Sequence, residues 1–198
     1  MKKEYVSSKI IIAGFPGVGK SEAAKLIPGV VMDVESSDYH WNEDKSLNPL
    51  WPDNYLDYVK ILLETDGLEE YRDLLYICIS THADTLKRLR KLQIPFVIAV
   101  PEDKEETIAR YKERGNSEAF IKQLDEHWEE WMKDFEDYDM PVLTVPKGHY
   151  LSELLDKPSY YDMLKSMVDA TYIHVLSVEE EYNPMDEFFD GLIGDKKE

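Results

Sequence analysis

Eight consecutive residues, Gly14-Phe15-Pro16-Gly17-Val18-Gly19-Lys20-Ser21, satisfy the pattern G-x-x-x-x-G-K-[ST] at every fixed position. The chemistry of such a stretch is anion binding. Glycines allow positive φ and close approach of the backbone to a ligand, so the amides from Gly17 to Ser21 can turn toward phosphate oxygens. Lys20 supplies a point charge for β- and γ-phosphates, and the Ser21 hydroxyl a ligand for Mg²⁺. Gly14, Pro16, Gly17, Val18, Gly19, Lys20, Ser21 and Glu22 are therefore expected to hold ATP or another nucleoside triphosphate with Mg²⁺. Three carboxylates follow, Asp33, Glu35 and Asp38. Asp33 closes a short apolar run, and a carboxylate there suits Mg²⁺ or the proton of an attacking hydroxyl; capping of a loop is the alternative use. Ser80 and His82 end another apolar run and are candidates for contact with a terminal phosphate or an attacking group, or for capping the helix that follows.

The elements that must position these groups are legible as an alternation. Apolar, β-branched runs at 9–13, 30–34, 74–79, 96–100 and 141–145 predict strands. Helical patterns lie between them, from 22 to 26, 55 to 65, 82 to 91, 102 to 114 and 117 to about 137, with Thr81 as a cap and Gly115-Asn116 as a stop. Residues 35–54 form a polar, aromatic loop. Phe120, Leu124, Trp128, Trp131 and Phe135 share one stripe, which reads as core for both tryptophans. Five such strands predict an α/β fold: a five-stranded parallel sheet with helices on both faces and ligands at the carboxyl ends of the strands. Beyond Leu155, residues 160–170 read as a helix and 172–176 as a short strand. The predicted division is a main domain over 1–158 and an acidic extension over 159–198, solvated at 179–181 and 194–198, with Met185, Phe188 and Phe189 available for docking.

The 198 residues suffice for one sizeable core, and the 43% hydrophobic share is that of a globular chain. A net charge of −18 argues against nucleic acid and anionic membranes as partners. Met1-Lys2-Lys3 is followed by Glu4 and too short an apolar run for a signal peptide, and no stretch approaches the ~20 apolar residues of a membrane span. A single cysteine, Cys78, suits a reducing cytoplasm.

The third strand ends Ile79-Ser80-Thr81-His82, without the Asp-x-x-Gly of GTPases or the acidic strand end of larger ATPases. With the phosphate loop, the short spacing and an arginine-bearing helix after the fourth strand, residues 9–155 resemble the nucleoside and nucleotide kinase group of P-loop proteins. More narrowly they resemble small adenylate-kinase-like proteins of bacteria and their phages, through Asp33-Val34-Glu35-Ser36-Ser37, Ser80-Thr81-His82 and Arg114-Gly115-Asn116. The resemblance implies the P-loop NTPase three-layer sandwich and a lid-like segment over about 102–118. Arg110 and Arg114, one helical turn apart, would then grip the transferred phosphoryl group, unless Glu106 and Glu113 or Glu118 occupy them in surface pairs. It also implies an acceptor site in the aromatic loop, where Tyr39, Trp41, Trp51 and Tyr55 would stack on a base, unless Trp51 and Tyr55 pack beneath the loop. One departure is informative. No arginine precedes Arg72, and the acceptor segment offers only Lys45 and Lys60, with Arg88 deep in the next helix. That weakens AMP as acceptor. The expectation is an ATP- and Mg²⁺-dependent phosphotransferase for a nucleotide-like or nucleoside-like small molecule. The alternatives are a nucleotide-binding regulatory module and a kinase of a non-nucleotide hydroxyl compound.

Overall fold

The computed structural model describes residues 7–179, with backbone alone from 173 onward. The readings at Met1-Lys2-Lys3, at Met185, Phe188 and Phe189 and at 194–198 lie outside the described residues. Five parallel strands make one sheet in the order β2-β3-β1-β4-β5. They are β1 (Ile10–Gly14), β2 (Val31–Asp33), β3 (Tyr76–Ser80), β4 (Val97–Pro101) and β5 (Val142–Val145). Each sits within two residues of its predicted place. β1 is central, and Ile10, Ile11, Ile12 and Ala13 are fully buried because helices cover both faces.

Side chains alternate along β1, so one face receives Ile11 and Ala13 and the other Ile10 and Ile12. On the first face lie α3 (Asp53–Leu63), α4 (Ala83–Lys91), α5 (Lys104–Glu113) and α6 (Glu118–Glu136). On the second lie α1 (Lys20–Leu26), α7 (Leu151–Leu155) and α8 (Pro158–Glu179). The fold is thus α/β with an all-parallel sheet, as expected. Among the described residues, no helix is long and apolar enough to cross a membrane.

Four expectations are corrected. Residues 172–176 are not a strand but part of α8, whose earlier turns bury Leu164 and Val168 against the sheet. The anchored helix continues through a β-prone sequence. For the same reason the predicted extension from 159 begins inside a helix that completes the core. Thr81 does not cap α4: the chain leaves β3 extended through His82 (ψ 129°), which takes the cap position without a side-chain bond. The 35–54 loop holds a short helix, α2 (Ser37–His40), and a bridge between Trp41 and Leu47.

Cys78 sits mid-strand in β3 with no exposure, and burial pushes its thiol up to about 12. A thiol reagent at pH 8 is expected to leave the native protein unlabelled and to modify one thiol on unfolding. Rapid stoichiometric labelling of the native protein would contradict the burial.

Candidate functional site

Parallel pairing brings the strand ends to one edge. Gly14 is in register with Ser80 on one side and Ala99 on the other, and Asp33 with Cys78. The 14–21 loop leaves this edge tied at both ends. The Phe15 amide donates to the Ala99 carbonyl (2.8 Å), and the Leu151 amide to the Val18 carbonyl (3.3 Å). Phe15 turns down into the core, edge-on to Trp128 with centroids 5.2 Å apart, and Val18 is buried on the opposite face.

Two glycines are dictated by this path. Gly17 (φ 82°) and Gly19 (φ 103°) lie in the left-handed region, where a side chain costs about 1–2 kcal/mol. At Gly17 there is also no room, since a Cβ would meet the Tyr111 ring of α5 at 2.8 Å. Gly17→Ala is expected to lose about 2 kcal/mol, roughly 4–8 °C in melting temperature. Against a Tyr111→Ala background, which carries its own cavity cost, Gly17→Ala should add the φ penalty alone. A melting temperature unchanged in Gly17→Ala would show the loop to be differently placed.

Gly14 is needed for another reason: the Lys20 stem lies across it, so that a Cβ would meet Lys20 carbons at 2.7 Å. Lys20 Nζ donates to the Gly14 carbonyl at 2.9 Å. Ser21 Oγ donates to Asp33 Oδ2 at 2.6 Å. The other oxygen, Asp33 Oδ1, is buried and has no hydrogen-bond partner. Burial raises the Asp33 pKa, against the opposing pull of the Ser21 bond and Lys20, and Glu35 adds to the rise. A desolvated carboxylate with one unused oxygen beside a hydroxyl fits a cation. Among the described residues no three His, Cys, Asp or Glu side chains converge, so Ser21, Asp33, phosphate oxygens and water would be the ligands, a set suited to Mg²⁺. Glu22, in contrast, is exposed and 4.0 Å from Lys25 along the surface of α1.

A cleft of about 560 Å³ opens beside Lys20. Its floor is the loop and the ends of β2 and β3, with Asp33, Glu35, Ser80 and His82 among the lining residues. Ser80 Oγ is a second buried oxygen without a partner. Beneath the floor Tyr55, wholly buried, donates to the Val34 carbonyl (2.8 Å) and accepts from the Ser80 amide (3.3 Å). It fixes the β2 and β3 ends relative to each other and is a positioning residue. His82 lies at the rim, where its surroundings desolvate the ring and His40 opposes a second positive charge, lowering its pKa below the usual value.

The aromatic loop residues are not among the lining residues of this cleft. Trp41, His40, Trp51, Tyr55, Tyr39 and Tyr58 instead follow one another in ring contact, with both tryptophans 4.5 Å from the imidazole. The accessory-core alternative therefore describes Trp51 and Tyr55. Asp38 is exposed on α2. The cleft's outer wall comes from α6: Phe120, Gln123, Trp131, Asp134 and Phe135, with Tyr138 just beyond. Sequence reasoning took this stripe for core. Trp128 is core, but Trp131 lines the cleft. No signal in the spacing separates the two, because all five residues fall within the ~100° stripe of an ordinary core-facing helix.

Arg110 and Arg114 do not reach the cleft either. Arg110 is paired with Glu106 (2.6 Å), donates to the His149 carbonyl (3.0 Å) and lies 4.0 Å over the Tyr150 ring. Glu106 also accepts from the Gly148 amide (2.9 Å), and Lys147 pairs with Asp103 (2.7 Å). α5 is stitched to the turn after β5. Arg114 is exposed at the C-terminal cap of α5.

No protein-family model matches the chain, and no curated protein does. Among solved structures, the apo SH3-kinase fragment of tight junction protein 3 is similar over 87% of this chain and 60% of that one. The sequence identity is 13% and the TM-score 0.39. This chain thus spans 60% of the length of that structure, and the likeness is too distant to bear on activity.

Proposed function

We propose that the chain is a Mg²⁺-dependent phosphotransferase with a P-loop NTPase sandwich. It would move the terminal phosphoryl group of ATP, or of another nucleoside triphosphate, to a hydroxyl of a small nucleotide-like or nucleoside-like molecule. One observation carries the reading. The Ser21–Asp33 contact, with a buried and unpartnered Asp33 oxygen, sits beside Lys20 in a loop that satisfies G-x-x-x-x-G-K-[ST]. On this reading Lys20 would leave the Gly14 carbonyl for phosphate oxygens, and Ser21 and Asp33 would hold Mg²⁺, whose chemistry there would be charge neutralisation. A carboxylate at the β2 edge, Asp33 or Glu35, orders the acceptor hydroxyl. The buried, unpaired Cys78 suits a cytoplasmic setting.

A second reading has its own support. Arg110 is already saturated by Glu106, His149 and Tyr150, and neither it nor the exposed Arg114 lines the cleft, which suits a regulatory module that binds nucleotide without transfer. Calorimetry with Mg²⁺-ATP, with coupled ADP release across nucleosides and nucleoside monophosphates, separates the two. Lys20→Ala is expected to weaken binding by about a hundredfold or more and to abolish release. Unchanged phosphoryl transfer in Lys20→Ala would refute the first reading. Tight binding without acceptor-dependent turnover would favour the second.

A further inference from the structure

The cleft is charged one-sidedly. Among the described residues, Lys20 is the one Lys or Arg in its lining, against the carboxylates Asp33, Glu35 and Asp134. Three cations on neighbouring helices are already engaged, Arg88 with Asp53 (2.7 Å), Lys60 with Asp57 (2.6 Å) and Arg110 with Glu106. An adjoining groove that shares Ala83, Asp134 and Tyr138 with the cleft does carry Lys87 and Arg90, and there Arg90 donates to the Asp137 carbonyl (3.2 Å). Neither lines the cleft itself. Facing Asp33 and Glu35 is the α6 wall, where Asp134 stands among Phe120, Trp131 and Phe135, with Tyr138 just beyond.

Carboxylates beside aromatic faces attract a cation twice over, through its charge and through the ring quadrupole. Away from Lys20, where the donor phosphates would sit, a phosphomonoester meets like charges, a repulsion that disfavours it. We infer that the acceptor is a hydroxyl compound bearing a protonated or quaternary amine, its cationic end against Asp134 and the aromatic rings beside it on the α6 wall. This rests on the phosphotransfer reading and replaces its nucleotide-like or nucleoside-like acceptor with a cationic one. In the transfer, the acceptor oxygen forms a bond to the γ-phosphorus as the bond to the bridging oxygen breaks. That oxygen keeps the electron pair in departing ADP, and the hydroxyl proton passes to Glu35.

The test is ADP release by the full chain with Mg²⁺-ATP and three amines, choline, ethanolamine and kanamycin. The controls are 3,3-dimethylbutan-1-ol (the neutral counterpart of choline), adenosine and AMP. At least one amine is expected to raise release about tenfold over 3,3-dimethylbutan-1-ol, and Asp134→Asn to shrink that preference by about fivefold or more. Absence of release with any amine overturns the inference, as does a preference that Asp134→Asn leaves intact. Release with AMP or adenosine alone overturns it while leaving phosphotransfer standing, and AMP turnover lost in Lys87→Ala/Arg90→Ala would place the acceptor in the adjoining groove. Lys20-dependent binding of Mg²⁺-ATP, measured on the same samples, separates these outcomes from failure of the phosphotransfer reading itself.

Discussion

Asp33→Asn is expected to move stability and ligand binding in opposite directions. In the native protein the Asp33 carboxylate is desolvated, one oxygen accepts from Ser21 at 2.6 Å, and the other is buried with no partner. A buried charge with an unmet acceptor destabilises the fold. Asparagine keeps the shape and the bond from Ser21 but removes the charge. The melting temperature should therefore rise, by roughly 2–4 °C for a gain of about 1 kcal/mol. Mg²⁺-dependent nucleotide binding should fall by about tenfold or more, because the neutral amide is a poor ligand for a hard cation. Binding measured without Mg²⁺ should change little. A variant that is both less stable and unimpaired in binding would show that Asp33 has a structural role alone.

The largest loss of stability is expected far from the cleft. Lys9 is 1% exposed at the foot of β1 and forms an ion pair with Asp66, which also accepts from the Ser8 amide (2.8 Å) and hydroxyl (2.9 Å). Removing one partner of a buried pair leaves an ammonium without compensation, at a cost of about 3–5 kcal/mol. Asp66 is itself 35% exposed, which places Asp66→Ala near the lower figure, about 3 kcal/mol or roughly 6–12 °C. Lys9→Met/Asp66→Ala should recover most of it, since an apolar replacement of the whole pair is close to neutral. The pH dependence has a definite sign. Burial alone would raise the Asp66 pKa, but the bonds from Lys9 and Ser8 outweigh it and hold the carboxyl below its usual 3.8. Its contribution is present above that value and is lost as pH falls through the lowered native one. Acid unfolding of Asp66→Ala should be correspondingly flatter below pH 4. Equal melting temperatures for Asp66→Ala and the parent protein would refute the pair's role.

The sheet and the loop were legible in the chain because they are local: β-branched runs, a glycine pattern and a helix-forming run identify themselves within a dozen residues. Groups whose role depends on the residues opposite were not. Phe120 and Trp131 share the helical spacing of Leu124 and Trp128, yet only the packed structure shows that the first pair borders open space. Trp51 and Tyr55 looked like platforms for a base, and their rings find each other and His40 instead. Arg110 had the right spacing for a phosphate clamp, but Glu106 one turn earlier on the same helix takes it. Lys9 read as the first residue of a strand; its burial depends on Asp66, 57 residues on. At 172–176 local preference for extended backbone yields to the continuation of a helix already docked at Leu164 and Val168.

The position of β1 also sets the order in which the molecule can assemble. The central strand is made before the other four and finds its two neighbours only when β3 and β4 have followed. Pairing over such separations is slow, because the intervening chain must be ordered before any contact repays it. One face of that strand, with Ile10 and Ile12, is closed later still, by α7 and α8, and the Tyr161 hydroxyl then donates to the Ser8 carbonyl (2.7 Å). Until residues near 168 have been made, a nascent chain has only α1 to cover that apolar sheet face and leaves the rest open, the kind of surface that chaperones shield during synthesis.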